Sequence, residues 1–276
     1  MNKKIMRTIV IACALCLCIG ALSGCASNAS SSSSSSTTDR TKLVVGFDED
    51  FPPYGYVGDD GQFTGFDLDL ASEVAQRNGW TIEYKPINWD AKDLELSSGS
   101  IDCIWNGFTI EGREDGYQWT DPYMDNSQVV VVRKDSGITS LSDLAGKTVL
   151  AQADSAALHL LQGDQAELAS TFKDLKSTPE YNTAFMELQS GAVDAVAIDR
   201  PVAKYETAGQ DDTYMILDEP LSSEHYGVGC LLGNTSLTET IESTLQDMDS
   251  DGTVASICKK YADQGISYDD WILPAK

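Results

Sequence analysis

Leu43, Val44, Val45 and Phe47 fall within six residues, KLVVGF (42–47), and this short apolar run reads as a strand. GFDLDLASEVAQRNG (65–79) changes to a helical spacing of apolar positions and ends on Gly79, so a helix is expected there. TIEYKPI (81–87) reads as a second strand, and SQVVVVRKD (127–135) opens the second half of the chain. LSDLAGKTVLAQ (141–152) predicts a short helix, a glycine turn and a strand. YGVGCLL (226–232) reads as one more strand before the closing helices. Two segments align without gaps, LELSSGSIDCIWNG (94–107) and MELQSGAVDAVAID (186–199). Glu95 and Glu187, Leu96 and Leu188, Gly99 and Gly191, Asp102 and Asp194 fall at the same offsets. Each segment predicts a helix stopped by a glycine, then a buried strand. Strands alternating with helices imply an α/β fold with mainly parallel sheets, and the echo implies two lobes built by one rule.

The N-terminus is of a different texture. Lys3, Lys4 and Arg7 precede an apolar stretch from Ile9 to Leu22, too short for a stable membrane span, so residues 1–24 read as an export signal. LSGC, ending at Cys25, looks like the lipobox of bacterial lipoproteins, in which the cysteine becomes the lipidated N-terminus; ordinary signal cleavage nearby is the plainer alternative. The Ser-rich tract after Cys25, to about residue 40, is expected to be a flexible tether. The 276 residues carry 43 acidic and 19 basic side chains, a net charge of −24, and loss of the leader makes the remainder more acidic still. That charge disfavours nucleic acid and anionic membrane as partners. Cys103, Cys230 and Cys258 remain beyond the leader and Cys25, at spacings unlike a metal or disulfide framework. Buried thiols are the default reading, with one disulfide among them an open alternative.

In parallel α/β sheets, ligands bind beyond the carboxyl ends of strands. That rule selects Asp48, the stretch Asn106–Gly107–Phe108–Thr109, Gln152 to Ser155, and Asp199. Arg113 suits a carboxylate through paired, charge-assisted hydrogen bonds. Thr109 offers a hydroxyl and a backbone N–H, and Asp154 or Ser155 begins the helix-like SAALHLLQ. Asp199, acceptor-only, suits an ammonium. Singly, each has a plain reading: Arg113 as a surface ion pair with Glu111, Glu114 or Asp115, Ser155 as a helix cap, Phe51 and Trp89 as core aromatics. Together they describe a zwitterion clamp, and Phe51 with Trp89 would sandwich a flat or cationic side chain.

The ordered series LVVGFDEDFPPYGY, GFDLDLASEVAQRNG, SSGSIDCIWNGFTIEGRE, WTDPY, SLSDLAGKTVLAQADS and ELQSGAVDAVAIDRPVA resembles the extracellular solute-binding proteins of polar amino acid ABC transporters, across nearly all of residues 41–276. The resemblance implies a two-lobed, type II periplasmic-binding-protein clamp, with 41–124 and 227–276 as lobe 1, 128–222 as lobe 2, and hinges near 124–128 and 222–226. It implies that Arg113, with N–H groups near Thr109 and Ser155, holds an α-carboxylate. Asp199, Thr109 and the Gly107 carbonyl would hold the α-ammonium. Asp48, Phe51, Trp89 and Gln152, with Asn106 beside them, would line the side-chain pocket. The implied partners are a polar amino acid, ABC permease subunits and a membrane reached only through the Cys25 lipid, with the protein acting as an exported, membrane-anchored monomer that needs no cofactor. In one place the chain departs from the pattern. The family reads Thr-Ile-Thr-Pro-Glu-Arg, whereas TIEGR sets Arg113 only four residues beyond Thr109; Gly112 permits an unusual turn there.

Asp48 beside two aromatics leans toward arginine or lysine, with cystine and glutamine as rivals. DMDSDGTVASIC (247–258) imitates a calcium loop but has Cys258 where a bidentate glutamate belongs, so a turn between helices is expected. His159 and His225, the only histidines, lie far apart and do not suggest a metal site. Two rival functions stand beside transport: a ligand-sensing subunit of a signalling system, and a dehydratase on the same scaffold. The second needs a general acid over its substrate, for which the motifs offer only carboxylates.

Overall fold

The computed structural model describes residues 40–274; the export leader, Cys25 and the serine tract lie outside the described residues. Chain order begins with β1 (Lys42–Phe47), the short strands β2 (Asp50–Phe51), β3 (Gly55–Val57) and β4 (Phe63–Thr64), and helix α1 (Phe66–Arg77). Then come β5 (Thr81–Pro86), α2 (Lys92–Ser97), β6 (Cys103–Ile104), β7 (Gln118–Trp119) and the long β8 (Met124–Arg133). β9 (Thr148–Gln152), α3 (Ala156–Gln162), α4 (Ala166–Ala169), β10 (Asp174–Thr178), α5 (Tyr181–Ser190), β11 (Ala195–Asp199), α6 (Arg200–Glu206) and β12 (Tyr214–Ile216) follow. The chain closes with β13 (Ser222–Tyr226), β14 (Gly229–Cys230), α7 (Thr235–Ser250) and α8 (Thr253–Lys260).

Two sheets organise the molecule, one ordered β5-β1-β6-β14-β7 and the other β10-β9-β11-β8-β12, with β13 also on β8. The expectation of mainly parallel sheets is corrected: both are mixed. β5, β1 and β6 run parallel, as do β10, β9 and β11, each triplet being linked through helices. β14 is antiparallel to β6 and β7, and β8 is antiparallel to β11, β12 and β13. Only a strand–helix–strand crossover returns the chain in the same sense. β8 and β14 enter their sheets from segments that pass between lobes, so they arrive reversed. Those passing segments meet: Met124 to Gln128 pair with Tyr226 to Ser222 as one antiparallel ladder.

Burial follows the pleat. On β8, Val129 and Val131 join the larger core while Val130 and Val132 face the smaller core of the second lobe. A strand buried on both faces must be apolar at every position, which is why VVVV is unbroken. β11 splits likewise, Val196 and Ile198 on one side and Ala195 and Ala197 on the other. The echoed segments share the expected form: α2 and α5 each stop near a glycine, Gly99 and Gly191, before β6 and β11. β6 is only two residues long, shorter than its apolar run suggests.

YGVGCLL is not one strand. Tyr226 ends β13, β14 covers only Gly229 and Cys230, and Leu232 is exposed. The chain changes sheets at this point. The closing helices α7 and α8 are separated by Asp251 and Gly252, so the calcium-like motif is the expected turn, with Asp251 paired to Arg77. Cys103, Cys230 and Cys258 are buried free thiols. No helix among the described residues is long and apolar enough to cross a membrane.

Candidate ligand-binding cleft

Four strand ends converge between the sheets: β1 into Asp48, β6 into Asn106–Thr109, β9 at Gln152 and β11 at Asp199. All ten residues singled out from the sequence line one cleft with about 290 Å³ of space between atoms, and Ala156 is the single addition. The walls of the cleft come from both lobes.

Arg113 lines the cleft from the loop after β6. Gly112, at φ +79°, turns the shortened loop, and the Arg113 N–H closes it on the Ile110 carbonyl at 2.9 Å. The half-buried guanidinium then donates Nη2 to the Asp154 carbonyl at 2.9 Å and Nη1 to the Thr109 carbonyl at 3.3 Å, 5.3 Å over the Phe108 ring. The plain alternative fails, since Arg113 makes no ion pair with Glu111, Glu114 or Asp115. Its charge is left for the cleft. For Ser155 both readings hold: it lines the cleft, and its hydroxyl caps α3 by accepting the Leu158 N–H at 3.1 Å.

Asp199 also lines the cleft, buried at the C-terminus of β11. Its Oδ1 accepts from Tyr226 Oη (2.6 Å), Asn126 Nδ2 (2.7 Å) and Gln128 Nε2 (2.8 Å). Burial raises its pKa against those three donors. Gly107, also in the lining, holds φ +57°, a conformation that suits glycine, and its N–H donates to buried Asp67 at 2.6 Å. A Cβ there would come within 3.0 Å of Phe51 Cε1. Burial pushes Asp67 up to about 7, against the Gly107 N–H and the Tyr123 hydroxyl.

The third corner holds Asp48, Gln152, Phe51 and Trp89. Gln152 Nε2 from one lobe donates to Asp48 Oδ2 from the other, and to the Pro179 carbonyl at 2.9 Å. Burial lifts Asp48 to about 6, opposed by the Asp50 N–H and the Gln152 amide. Asn106 fixes this corner by accepting the Asp48 N–H at 3.0 Å. Phe51 is stacked on Tyr54 and tilted against Tyr181; Trp89 meets Phe108 edge-on and carries the Lys92 ammonium 5.2 Å from its ring centre. Both aromatics are therefore core and cleft wall at once.

Several neighbours were not selected from the sequence. Asn126, Gln128 and Tyr226, which hold Asp199, come from β8 and β13 and reach it only across the ladder. Glu224 lies behind Thr109 and accepts its hydroxyl at 2.9 Å. Buried Lys92 pairs with Asp154 across the lobes.

Two mixed α/β sheets, with the chain passing twice between them and a cleft at their strand ends, form the type II periplasmic-binding-protein fold. The chain belongs to the bacterial extracellular solute-binding proteins, family 3, which it matches over residues 43–264. It is 29% identical over 227 residues to the L-cystine-binding protein TcyJ of Escherichia coli (strain K12), covering 81% of this chain and 83% of that one. With the arginine-binding extracellular protein ArtP of Bacillus subtilis (strain 168) it shares 28% identity, over 94% of this chain and 98% of the other. A solved ABC uptake transporter substrate-binding protein from Streptococcus pneumoniae with bound histidine superposes with a TM-score of 0.78 at 32% identity, covering 82% and 94% of the two chains. These named relatives are binding proteins rather than enzymes.

Proposed function

We propose that this protein binds one polar amino acid in its interlobe cleft and delivers it to an ABC importer. One observation carries the reading: a guanidinium with no carboxylate partner among the described residues and a buried carboxylate line the same small cleft. Arg113, with N–H groups near Thr109 and Ser155, takes the α-carboxylate. Asp199, Thr109 and the Gly107 carbonyl take the α-ammonium. Asp48, Phe51, Trp89 and Gln152 select the side chain, with arginine or lysine ahead of cystine and glutamine. Relatives that bind cystine, arginine and histidine support a polar ligand without choosing among them. Residues 124–128 and 222–226 serve as the hinge between lobes 41–124 plus 227–276 and 128–222. Ligand contacts made in both lobes exist only in the closed form, so binding shifts the open–closed balance toward it. Lipid on Cys25 tethers a monomer beside its permease, and the protein is not an enzyme.

Calorimetric titration with the standard amino acids plus ornithine, citrulline and cystine tests this directly. One polar amino acid is expected to bind tightly, and Arg113→Ala and Asp199→Ala are each expected to weaken it at least about a hundredfold, roughly the 2–5 kcal/mol of a truncated buried charge contact. Absence of binding by every candidate refutes the reading. Turnover of a prephenate- or arogenate-type substrate supports the dehydratase instead.

A further inference from the structure

Two buried carboxylates, not one, stand at this part of the site: Asp199 lines the cleft, and Glu224 lies behind its wall. β8 runs between β11 and β13, and its register sets Gln128 opposite Asp199 on one side and Asn126 opposite Glu224 on the other. Asn126 and Gln128, two residues apart, project from the same face of β8. Each uses its single amide nitrogen twice. Asn126 Nδ2 lies 2.7 Å from both Asp199 Oδ1 and Glu224 Oε1, and Gln128 Nε2 lies 2.8 Å from both. An amide NH₂ has two hydrogens, so one bond to each carboxylate uses its whole capacity. The remaining donors are neutral too, Tyr226 Oη to Asp199 and Thr109 Oγ1 to Glu224. Neither carboxylate has a lysine, arginine or histidine partner among the described residues. Asp199 is 4% exposed and so is Glu224. Two negative charges bridged this closely, away from water and without a cation, are strongly disfavoured.

We propose that Glu224 and Asp199 form a carboxylate pair that holds one proton in the ligand-free protein, and that the ligand's ammonium replaces this proton on binding. The inference rests on the amino acid reading above and deepens it. Glu224 is a positioning residue, because it does not line the cleft and acts through Thr109 and the shared amides. By accepting the Thr109 hydroxyl proton it leaves only lone pairs of Oγ1 directed elsewhere, and lone pairs are what an ammonium needs. The exchange balances: ammonium enters, the proton leaves to buffer, and the pair ends with two negative charges against one positive. Burial, with the charge of Asp199 next, pushes Glu224 up to about 7, and burial raises Asp199. Two other titratable groups near Glu224 have their own partners. Glu111 lies against His225, and His159, which shares with Asp164 the outer cavity behind Glu224, pairs with Asp154.

The test is calorimetry of the tightest-binding amino acid between pH 5.5 and 8.5, in buffers of different ionisation enthalpy. The wild type is expected to release up to about one proton per ligand near pH 6–7. Its affinity should climb by up to about tenfold per pH unit below 7 and level off above it, because the complex favours the proton-free pair. Glu224→Gln keeps the shape and the Thr109 acceptor, and is expected to bind with little proton release and a flatter pH profile. Wild-type binding without proton release, or full release from Glu224→Gln, overturns the proposal while leaving the amino acid reading intact. Failure to bind any amino acid overturns that reading instead. A ligand-free measurement then decides the pair: between pH 6 and 8 the wild-type melting temperature should fall more than that of Glu224→Gln, and parallel curves refute the shared proton.

Discussion

Asp48 shows how one residue carries both readings made of it. It accepts the Asp50 N–H at 2.9 Å, as a loop cap does, and also presents a carboxylate to the cleft. Its rise to about 6 still leaves it mainly ionised at neutral pH, in a corner it shares with Phe51, Trp89 and Gln152. Asp48→Asn removes the charge and keeps the shape. It is expected to lower affinity for arginine or lysine at least about tenfold while changing glutamine or cystine binding much less, since only a cationic side chain loses a charged partner. Competition titrations with the four ligands check this; equal losses for all would show that Asp48 shapes the cleft without selecting charge.

At the scale of elements, the junction of α2 with the turn from β9 to α3 links the lobes outside the ligand contacts. Lys92 on α2 is buried and its Nζ meets Asp154 Oδ2, while His159 Nε2 lies 2.7 Å from Oδ1. Burial works to raise Asp154, yet His159 and Lys92 hold it well below the usual carboxylate range. The backbone of Asp154, at φ +56°, presents its carbonyl to Arg113. One turn thereby anchors the guanidinium and ties the lobes together, which compensates for the residue missing from the Thr109–Arg113 loop. Under the hinge motion proposed above, Lys92→Met breaks a pair that links the lobes when closed. Ligand release is expected to quicken about tenfold, with the order of ligand preference unchanged. Stopped-flow dissociation measures it, and an unchanged release rate would remove the lobe bridge from any part in closure.

For the whole molecule, burial of carboxylates is the dominant electrostatic theme. Asp48 is raised to about 6, and Asp67, Glu206 and Glu224 to about 7, in each case chiefly by burial. Their unfolded values are about 4. Between those limits the folded chain binds more protons than the unfolded one, so stability falls as pH rises from about 4 to 7. The net charge of −24 adds repulsion of the same sign. Asp251, held at about 2 first by its Arg77 hydrogen bond, acts oppositely, its contribution being lost only as pH falls below about 4. The ligand-free protein is therefore expected to melt at a higher temperature near pH 5 than at pH 8. Scanning calorimetry across that range tests the sign, and a maximum at pH 8 would contradict it.

Much of this was legible along the chain because it depends on local pattern. KLVVGF is β1 to the residue, both echoed helices stop near their glycines, and all ten chosen residues line one cleft, since strand ends in an α/β sheet converge wherever the strands are adjacent. Sheet direction was not legible, because an apolar run is the same in either sense and only its route of entry decides. Nor was Glu224: in SSEHYG it is one acid among 43, and what distinguishes it is a register that sets it opposite Asn126 while β8 carries Gln128 opposite Asp199. Arg113 lies between the two cases. Its residue type was visible, but whether a loop one residue short could deliver it was decided by the Gly112 turn and by the Asp154 carbonyl, 41 positions away in sequence and 2.9 Å away in space. Local periodicity determined the elements and the candidates; pairing between distant strands decided which charges would be buried together.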